Sequence, residues 1–256
     1  MRAAGSTHIG YLRRNNEDAL YFPRKEMDVH GLYMVADGMG GHNAGEVASE
    51  LAVHTAISTV AAARVQEDIS PEEIVYQAIA EANRAVYRAT EDNPEYSGMG
   101  TTLTLALDAG DKLVIGHVGD SRAYLLRDGL LQQVTTDHSL VQELLQAGRI
   151  TAAQAATHPM RNVITRSLGS MRFVDIALYS VPFGPGDILL LCTDGLSNAV
   201  SDEDMAAMLI DEDADRQNDL WRAVNRLIDA ALQDGGRDNI TALVLTPTPE
   251  RGGALT

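Results

Sequence analysis

Between residues 101 and 135, four short runs of β-branched or large apolar residues follow one another with only turn signals between them. They are Thr101–Leu107, Leu113–Val118, Ala123–Leu126 and Leu131–Thr135, parted by Gly110, Gly119 and Asp128-Gly129. Runs this close read as successive antiparallel strands. Asp128-Gly129 between two apolar runs predicts a two-residue hairpin turn.

Around this block the pattern alternates between strand and helix in groups rather than strictly. Leu32–Ala36 reads as a buried strand that ends in Asp-Gly. Ala44–Arg64 is helical, with Val47, Leu51, Ala52, Ala56 and Val60 on about one face. Ser70-Pro71-Glu72-Glu73 starts a second helix with a capping residue and proline at the first position, and it should run to about Thr90, burying Ile74, Ala78, Ala82 and Ala85. A polar helical stretch spans His138 to about Gly148, and Thr151 with Gln154 forms another capping box. Phe173–Val181 and Ile188–Cys192 return to strand. Helices over Ser201–Leu209 and Asp219–Leu232 precede a last strand, Ile240–Leu245. Two strand-rich blocks and two pairs of helices predict an α+β fold in which sheet packs on sheet with helices outside, not a doubly wound parallel sheet.

The 256 residues fit one large domain over residues 1–246, with a short tail, 247–256. With 45% apolar and 22% charged residues the composition is that of a folded globular chain. A net charge of −16 repels phosphate backbones, so nucleic acid is not an expected partner. No apolar run approaches the ~20 residues of a membrane span, and the N-terminus lacks the apolar stretch of a signal peptide. A single cysteine, Cys192, allows no internal disulfide and sits inside an apolar strand as a core thiol would. A cytoplasmic protein without a membrane anchor is expected.

Four acidic residues stand at the ends of strand signals: Asp37, Asp120, Asp194 and Asp238. A fifth, Asp18, lies in RRNNED. Asp-Gly is a turn dipeptide, and turns end strands, so each alone could be no more than a turn. The runs before Asp37 and Asp194, however, are apolar enough to be central strands. A carboxylate at such a place needs a cation or donors to offset its desolvation. Several carboxylates without cysteine partners suit hard divalent ions such as Mg²⁺ or Mn²⁺ rather than zinc.

In order along the chain stand Gly10-Tyr-Leu-Arg13-Arg-Asn-Asn-Glu17-Asp18, Val35-Ala-Asp37-Gly38-Met-Gly-Gly41-His42, Gly98-Met-Gly-Thr101-Thr102, Gly119-Asp120-Ser-Arg122, Cys192-Thr-Asp194-Gly195-Leu and Gly236-Arg-Asp238-Asn239. This set resembles the metal-dependent serine/threonine protein phosphatases of the type 2C, or PPM, family in its compact bacterial form. The resemblance implies a four-layer αββα fold, a central antiparallel β-sandwich flanked by pairs of helices. It also implies hydrolysis of phosphoserine and phosphothreonine in proteins, with two Mg²⁺ or Mn²⁺ ions and a weaker third. Asp37 would bridge the two ions, the Gly38 carbonyl would bind one, Asp194 and Asp238 would complete the other, and Asp18 would hold waters around them. Arg13 would grip the substrate phosphate with its fork of donors. Bacterial relatives bind the third ion through the positions of Asp120 and Asp194. Two ions about 3.5–4 Å apart can turn a shared water into hydroxide in line with phosphorus. Many eukaryotic relatives carry a histidine after the bridging Asp-Gly as proton donor to the leaving group. Here that residue is Met39, and His42, the nearest histidine, is a candidate acid but is expected to be a loop or helix-start residue. Arg14 should point away from Arg13 if the segment is extended. The segment of about residues 137–171 would be the family's variable flap beside the metal site.

The resemblance favours a monomeric phosphatase acting on phosphorylated proteins, opposing a bacterial-type serine/threonine kinase. A phosphoprotein-binding pseudophosphatase is the non-enzyme alternative, and the intact set Arg13, Asp37, Asp194 and Asp238 argues against it. A regulator carrying an added sensor module is a third possibility, for which residues beyond the last strand leave no room.

Overall fold

The structure is a computed structural model and describes residues 1–40, 44–66, 68–210 and 219–248. The chain opens with β1 (Arg2–His8), β2 (Asp18–Tyr21) and β3 (Leu32–Met39), followed by helices α1 (Ala44–Ala63) and α2 (Pro71–Asp92). Five strands come next: β4 (Gly100–Thr101), β5 (Leu103–Asp108), β6 (Lys112–Val118), β7 (Arg122–Arg127) and β8 (Leu130–Gln133). Two short helices, α3 (Leu140–Gln146) and α4 (Ala152–Ala156), lead to β9 (Ala177–Pro182) and β10 (Ile188–Cys192). The described chain closes with α5 (Asp194–Ser197), α6 (Asp202–Leu209), α7 (Asp219–Gln233) and β11 (Ile240–Thr246).

The strands form two antiparallel sheets. One runs β1-β11-β10-β7-β8; the other runs β2-β3-β5-β6-β9, with β4 added beside β3. The hairpin between β7 and β8 turns through Asp128-Gly129, both at positive φ, as the dipeptide predicts. Period-two alternation assigns each strand face to a layer. In β10, Leu189 and Leu191 join Val35, Ile115, Leu243 and Leu245 between the sheets. Leu190 and Cys192 turn outward onto Met205, Val224 and Leu227 of α6 and α7. On the opposite side α1 and α2 lay Ala48, Ala52, Ala56, Ile79 and Ala82 over Met34, Leu103, Leu105 and Val114. The result is the expected αββα order, with three apolar layers between four structural ones.

Local signals placed most element ends. Ser70 Oγ accepts from the Glu73 amide at 3.1 Å, and Thr151 and Gln154 exchange both capping-box bonds. Some expectations need correction. The strand predicted from Phe173 begins at Ala177, because Phe173 is 78% exposed and its neighbour Arg172 stacks on the ring. β3 does not stop in a turn at Asp37-Gly38; it continues to Met39, where Gly38 faces Thr101 and Met39 faces Gly100 of β4. On α1 the buried face is Ala48, Ala52, Val53, Ala56 and Val60, with Val47 and Leu51 only half-buried, and on α2 it is Val86, not Ala85, that is fully buried. Cys192 is buried in the core, where desolvation pushes its thiol up to about 12.

Candidate functional site

The five aspartates singled out in the sequence come from both sheets and meet at one end of the sandwich. Asp18 starts β2 and stands directly across from Asp37 in the β2–β3 ladder. Asp194 follows β10 as the first residue of α5, and Asp238 precedes β11. Asp120 lies in the three-residue segment that carries the chain from β6, in one sheet, to β7, in the other. So Asp120 and Asp194 are not hairpin-turn residues.

The backbone around Asp37 is tied down from several sides. Its amide donates to Thr102 Oγ1 at 2.8 Å; its carbonyl accepts from the Thr102 amide and from Thr101 Oγ1, both at 2.9 Å. Next to it, the Gly38 amide donates to the Glu17 carbonyl at 3.0 Å, and a Cβ on Gly38 would stand 2.0 Å from the Gly45 carbonyl oxygen. Only glycine permits this approach of β3 to the first turn of α1. Asp18 is gripped by two hydroxyls: Thr193 Oγ1 and Thr241 Oγ1 donate to its Oδ2 at 2.8 and 2.6 Å. These two threonines escaped the sequence reading, although a polar β-branched residue in the apolar run of β11 was a visible signal.

Desolvation dominates the electrostatics. Burial raises the Asp18 and Asp120 carboxyls to about 7 and Asp194 to about 6, and raises Asp37 well above its ordinary range. Neighbouring carboxylates push the same way; for Asp37 these are Asp18, Asp194, Asp120 and Asp238. Asp18 Oδ1 and Asp120 Oδ1 are buried without a hydrogen-bond partner.

An all-oxygen donor set with two orphaned buried oxygens and mutually raised pKa values fits hard divalent cations. Among the described residues, no three His, Cys, Asp or Glu side chains are gathered about one point with the spacing of a metal shell. Two of the acids are engaged elsewhere. Arg13 Nη2 donates to Asp238 Oδ2 at 2.7 Å, and Asn198 Nδ2 donates to Asp194 Oδ2 at 3.1 Å. Arg13 thus stands at the site, on a carboxylate. It sits in irregular chain, not on a strand, so strand alternation does not set where Arg14 points. His42 lies outside the described residues.

A cleft of about 450 Å³ opens beside these acids, lined by Asp120, Asp194 and Asp238 on one side and by Ser139, Gln142 and Arg161 on the other. The second wall belongs to the segment between β8 and β9. Ser139 bridges Ile164 within it, and Leu168 stitches it to the sandwich at Thr101. Arg122, half-buried at the cleft, is held by a two-pronged contact with Asp137, with Nε and Nη2 donating to its carboxylate oxygens at 2.7–3.0 Å.

In the chelated protein the raised acids make stability fall with pH. Asp120 is held near 7 when folded against 3.8 in a free chain. From about pH 4 to about pH 7 the folded state therefore keeps a proton that the unfolded state has lost, and stability declines as pH rises through that window. Thermal melts in EDTA should show wild type losing ground to Asp120→Asn over that window. A constant difference between the two would mean that the carboxylate is not desolvated.

The protein phosphatase 2C family model matches residues 4–235 of this chain. The chain belongs to the protein phosphatase 2C family. It is 41% identical over 248 residues to the serine/threonine protein phosphatase PstP of Mycobacterium tuberculosis, an alignment that covers 95% of this chain. The chain spans less than half, 44%, of that relative's length. It is 40% identical to the serine/threonine phosphatase stp of Listeria monocytogenes over 96% of this chain and 95% of the relative. Among solved structures it is similar to the catalytic domain of PstP in complex with two manganese ions. The TM-score is 0.79 at 38% identity, over 95% of this chain and 96% of that one. The antiparallel sandwich between helix pairs is this family's fold.

Proposed function

We propose that the chain is a protein serine/threonine phosphatase that depends on Mn²⁺ or Mg²⁺. The observation that carries this reading is the cluster of desolvated, mutually destabilising carboxylates Asp37, Asp120 and Asp194, drawn from both sheets beside an arginine and an open cleft. Among the described residues no helix is long and apolar enough to cross a membrane. A cytoplasmic monomer opposing a serine/threonine kinase is the setting we infer, with phosphoproteins and not nucleic acid as partners.

In this reading Asp37, the Gly38 carbonyl, Asp194 and Asp238 would hold two ions. Asp120 with Asp194 would hold a weaker third ion. When bound, the ions supply positive charge for the phosphate and bring the pKa of a water down toward neutrality for attack on phosphorus in line. The chain does the rest. Thr193 and Thr241 keep one oxygen of Asp18 occupied, which leaves Oδ1 to accept from a water in the site. Arg13, half exposed and already on a carboxylate oxygen, is chemically matched to a phosphate oxygen. The cleft wall formed by residues 139–162 limits which phosphorylated segments can approach.

Hydrolysis of a phosphothreonine peptide should appear with added Mn²⁺, vanish in excess EDTA, and survive thiol-blocking reagents because Cys192 is buried with a raised pKa. Full activity in EDTA, or stoichiometric inactivation by mild alkylation of the folded protein, would overturn the mechanism. Binding of phosphopeptide without turnover at saturating Mn²⁺ would favour the pseudophosphatase alternative.

A further inference from the structure

Arg13 is 48% exposed, so little packing holds its side chain in place. Its position depends on the backbone beneath it, and that backbone, from Ile9 to Glu17, contains no strand or helix. The contacts that seat this segment converge on one side chain. Asn239 Nδ2 donates to the carbonyls of Ile9 and Asn15, each at 2.9 Å, and the Glu17 amide donates to Asn239 Oδ1, also at 2.9 Å. Two carbonyls and one amide settle which way the amide group points. Asn239 is buried, at 4% exposed, so these bonds are shielded from water. They close the loop on both sides of Arg13 through a single amide.

The main chain of the same residue grips the other partner. The Asn239 amide donates to Asp238 Oδ1 at 2.8 Å, while Asp238 Oδ2 takes the Arg13 guanidinium. The fit is tight. The Tyr11 amide donates to the Gly236 carbonyl at 2.6 Å, and a Cβ on Gly10, at φ +77°, would stand 2.2 Å from the Asp238 carbonyl oxygen.

Given the phosphatase activity proposed for this site, we propose that Asn239 is the positioning residue that sets Arg13 against the substrate phosphate. No other small side chain matches its bonding. Aspartate keeps the acceptor for Glu17 but turns a carboxylate toward two carbonyls, and serine or alanine is too short to span them. A loop freed from this clamp lets Arg13 wander, and a displacement of about 1 Å at a positioning group can cost about 10²-fold.

The test is a double-mutant cycle with a phosphothreonine peptide at saturating Mn²⁺, with Asn239→Ala, Arg13→Ala and the double variant beside wild type. Arg13→Ala should raise KM by about tenfold or more, the loss of a charge-assisted contact. Asn239→Ala should raise KM comparably, and adding it to Arg13→Ala should cost less than about threefold more, because both remove the same interaction. Effects that multiply, or an unchanged KM in Asn239→Ala, would overturn the assignment. If Asn239→Ala does not fold, Asn239→Ser takes its place in the cycle. Hydrogen exchange without substrate tests the clamp independently of activity. In the Asn239 variant the amides of Tyr11 and Glu17 should exchange at least about tenfold faster while those of β11 keep their protection. Unchanged exchange at Glu17 would overturn the clamp. A wild-type protein without activity but with the accelerated exchange in its variant would instead overturn the phosphatase reading alone.

Discussion

Asp37→Ala is expected to reduce phosphopeptide hydrolysis to background at any Mn²⁺ concentration. Asp37 stands opposite Asp18 in the β2–β3 ladder, and Asp18, Asp194, Asp120 and Asp238 all press on its carboxyl. No neighbour can replace it, since Asp18 spends one oxygen on Thr193 and Thr241 and Asp238 lies on another loop. Partners that only support a ligand typically cost about 10–100-fold when removed; a residue shared by two ions should cost far more. The variant should still fold. Its backbone bonds to Thr101 and Thr102 do not involve the side chain, and losing the carboxyl removes the repulsion it suffers from Asp18, Asp194, Asp120 and Asp238. In EDTA, Asp37→Asn should therefore melt no lower than wild type; a large drop would make Asp37 a structural residue first. His42→Ala supplies the contrast and should keep a substantial fraction of activity. A general acid contributes about 10²–10⁴-fold and matters most for poor leaving groups. A large loss on a phosphothreonine peptide with none on a nitrophenyl ester would make His42 the acid.

If Asp120 helps hold the proposed third ion, Asp120→Ala should slow phosphopeptide turnover by about 10- to 100-fold while two ions still bind tightly, since one carboxylate lost from a weak, water-rich site would empty only that site. A turn residue would show no such effect, and the geometry argues against a turn role. The crossing from β6 to β7 is held by other groups. His138 donates its amide to the Gly119 carbonyl at 2.7 Å and accepts the Gly119 amide on Nδ1 at 3.1 Å, while Thr102 and Ser121 join hydroxyls at 2.7 Å. Asp120 Oδ1, by contrast, is buried with no protein partner. The segment keeps its shape without the carboxylate, so the variant should fold normally. Calorimetric metal titration beside steady-state kinetics decides the matter. Wild-type turnover of Asp120→Ala at saturating metal would show that a third ion is not needed.

The sandwich itself could be read from short-range chemistry. The apolar runs of Leu103–Asp108 and Lys112–Val118, the Asp128-Gly129 turn and the caps at Ser70 and Thr151 are each legible within a few residues, the turn and caps because side chains satisfy or redirect their own backbone. Strands β1 and β2 were invisible for the opposite reason. Arg2–His8 carries small and polar residues and becomes a strand because β11, some 240 positions later, offers it an edge. The sequence ends the third strand at Ala36, before Asp37-Gly38, because nothing near it announces that Gly100-Thr101 will extend its ladder.

For the site, the sequence by itself determined which carboxylates, glycines and arginine are present and in what order, and a family resemblance supplied roles for them. What those side chains touch was decided only by the tertiary structure. The Arg13–Asp238 pair joins residues 225 apart, the Thr193 and Thr241 bonds to Asp18 span 175 and 223, and Asn239 reaches Ile9 across 230. A cap is selected by a backbone that is already beside it. A contact between chain ends depends on how two sheets stack and which strand lies at each edge, and that is a property of the packed core rather than of any local run of residues.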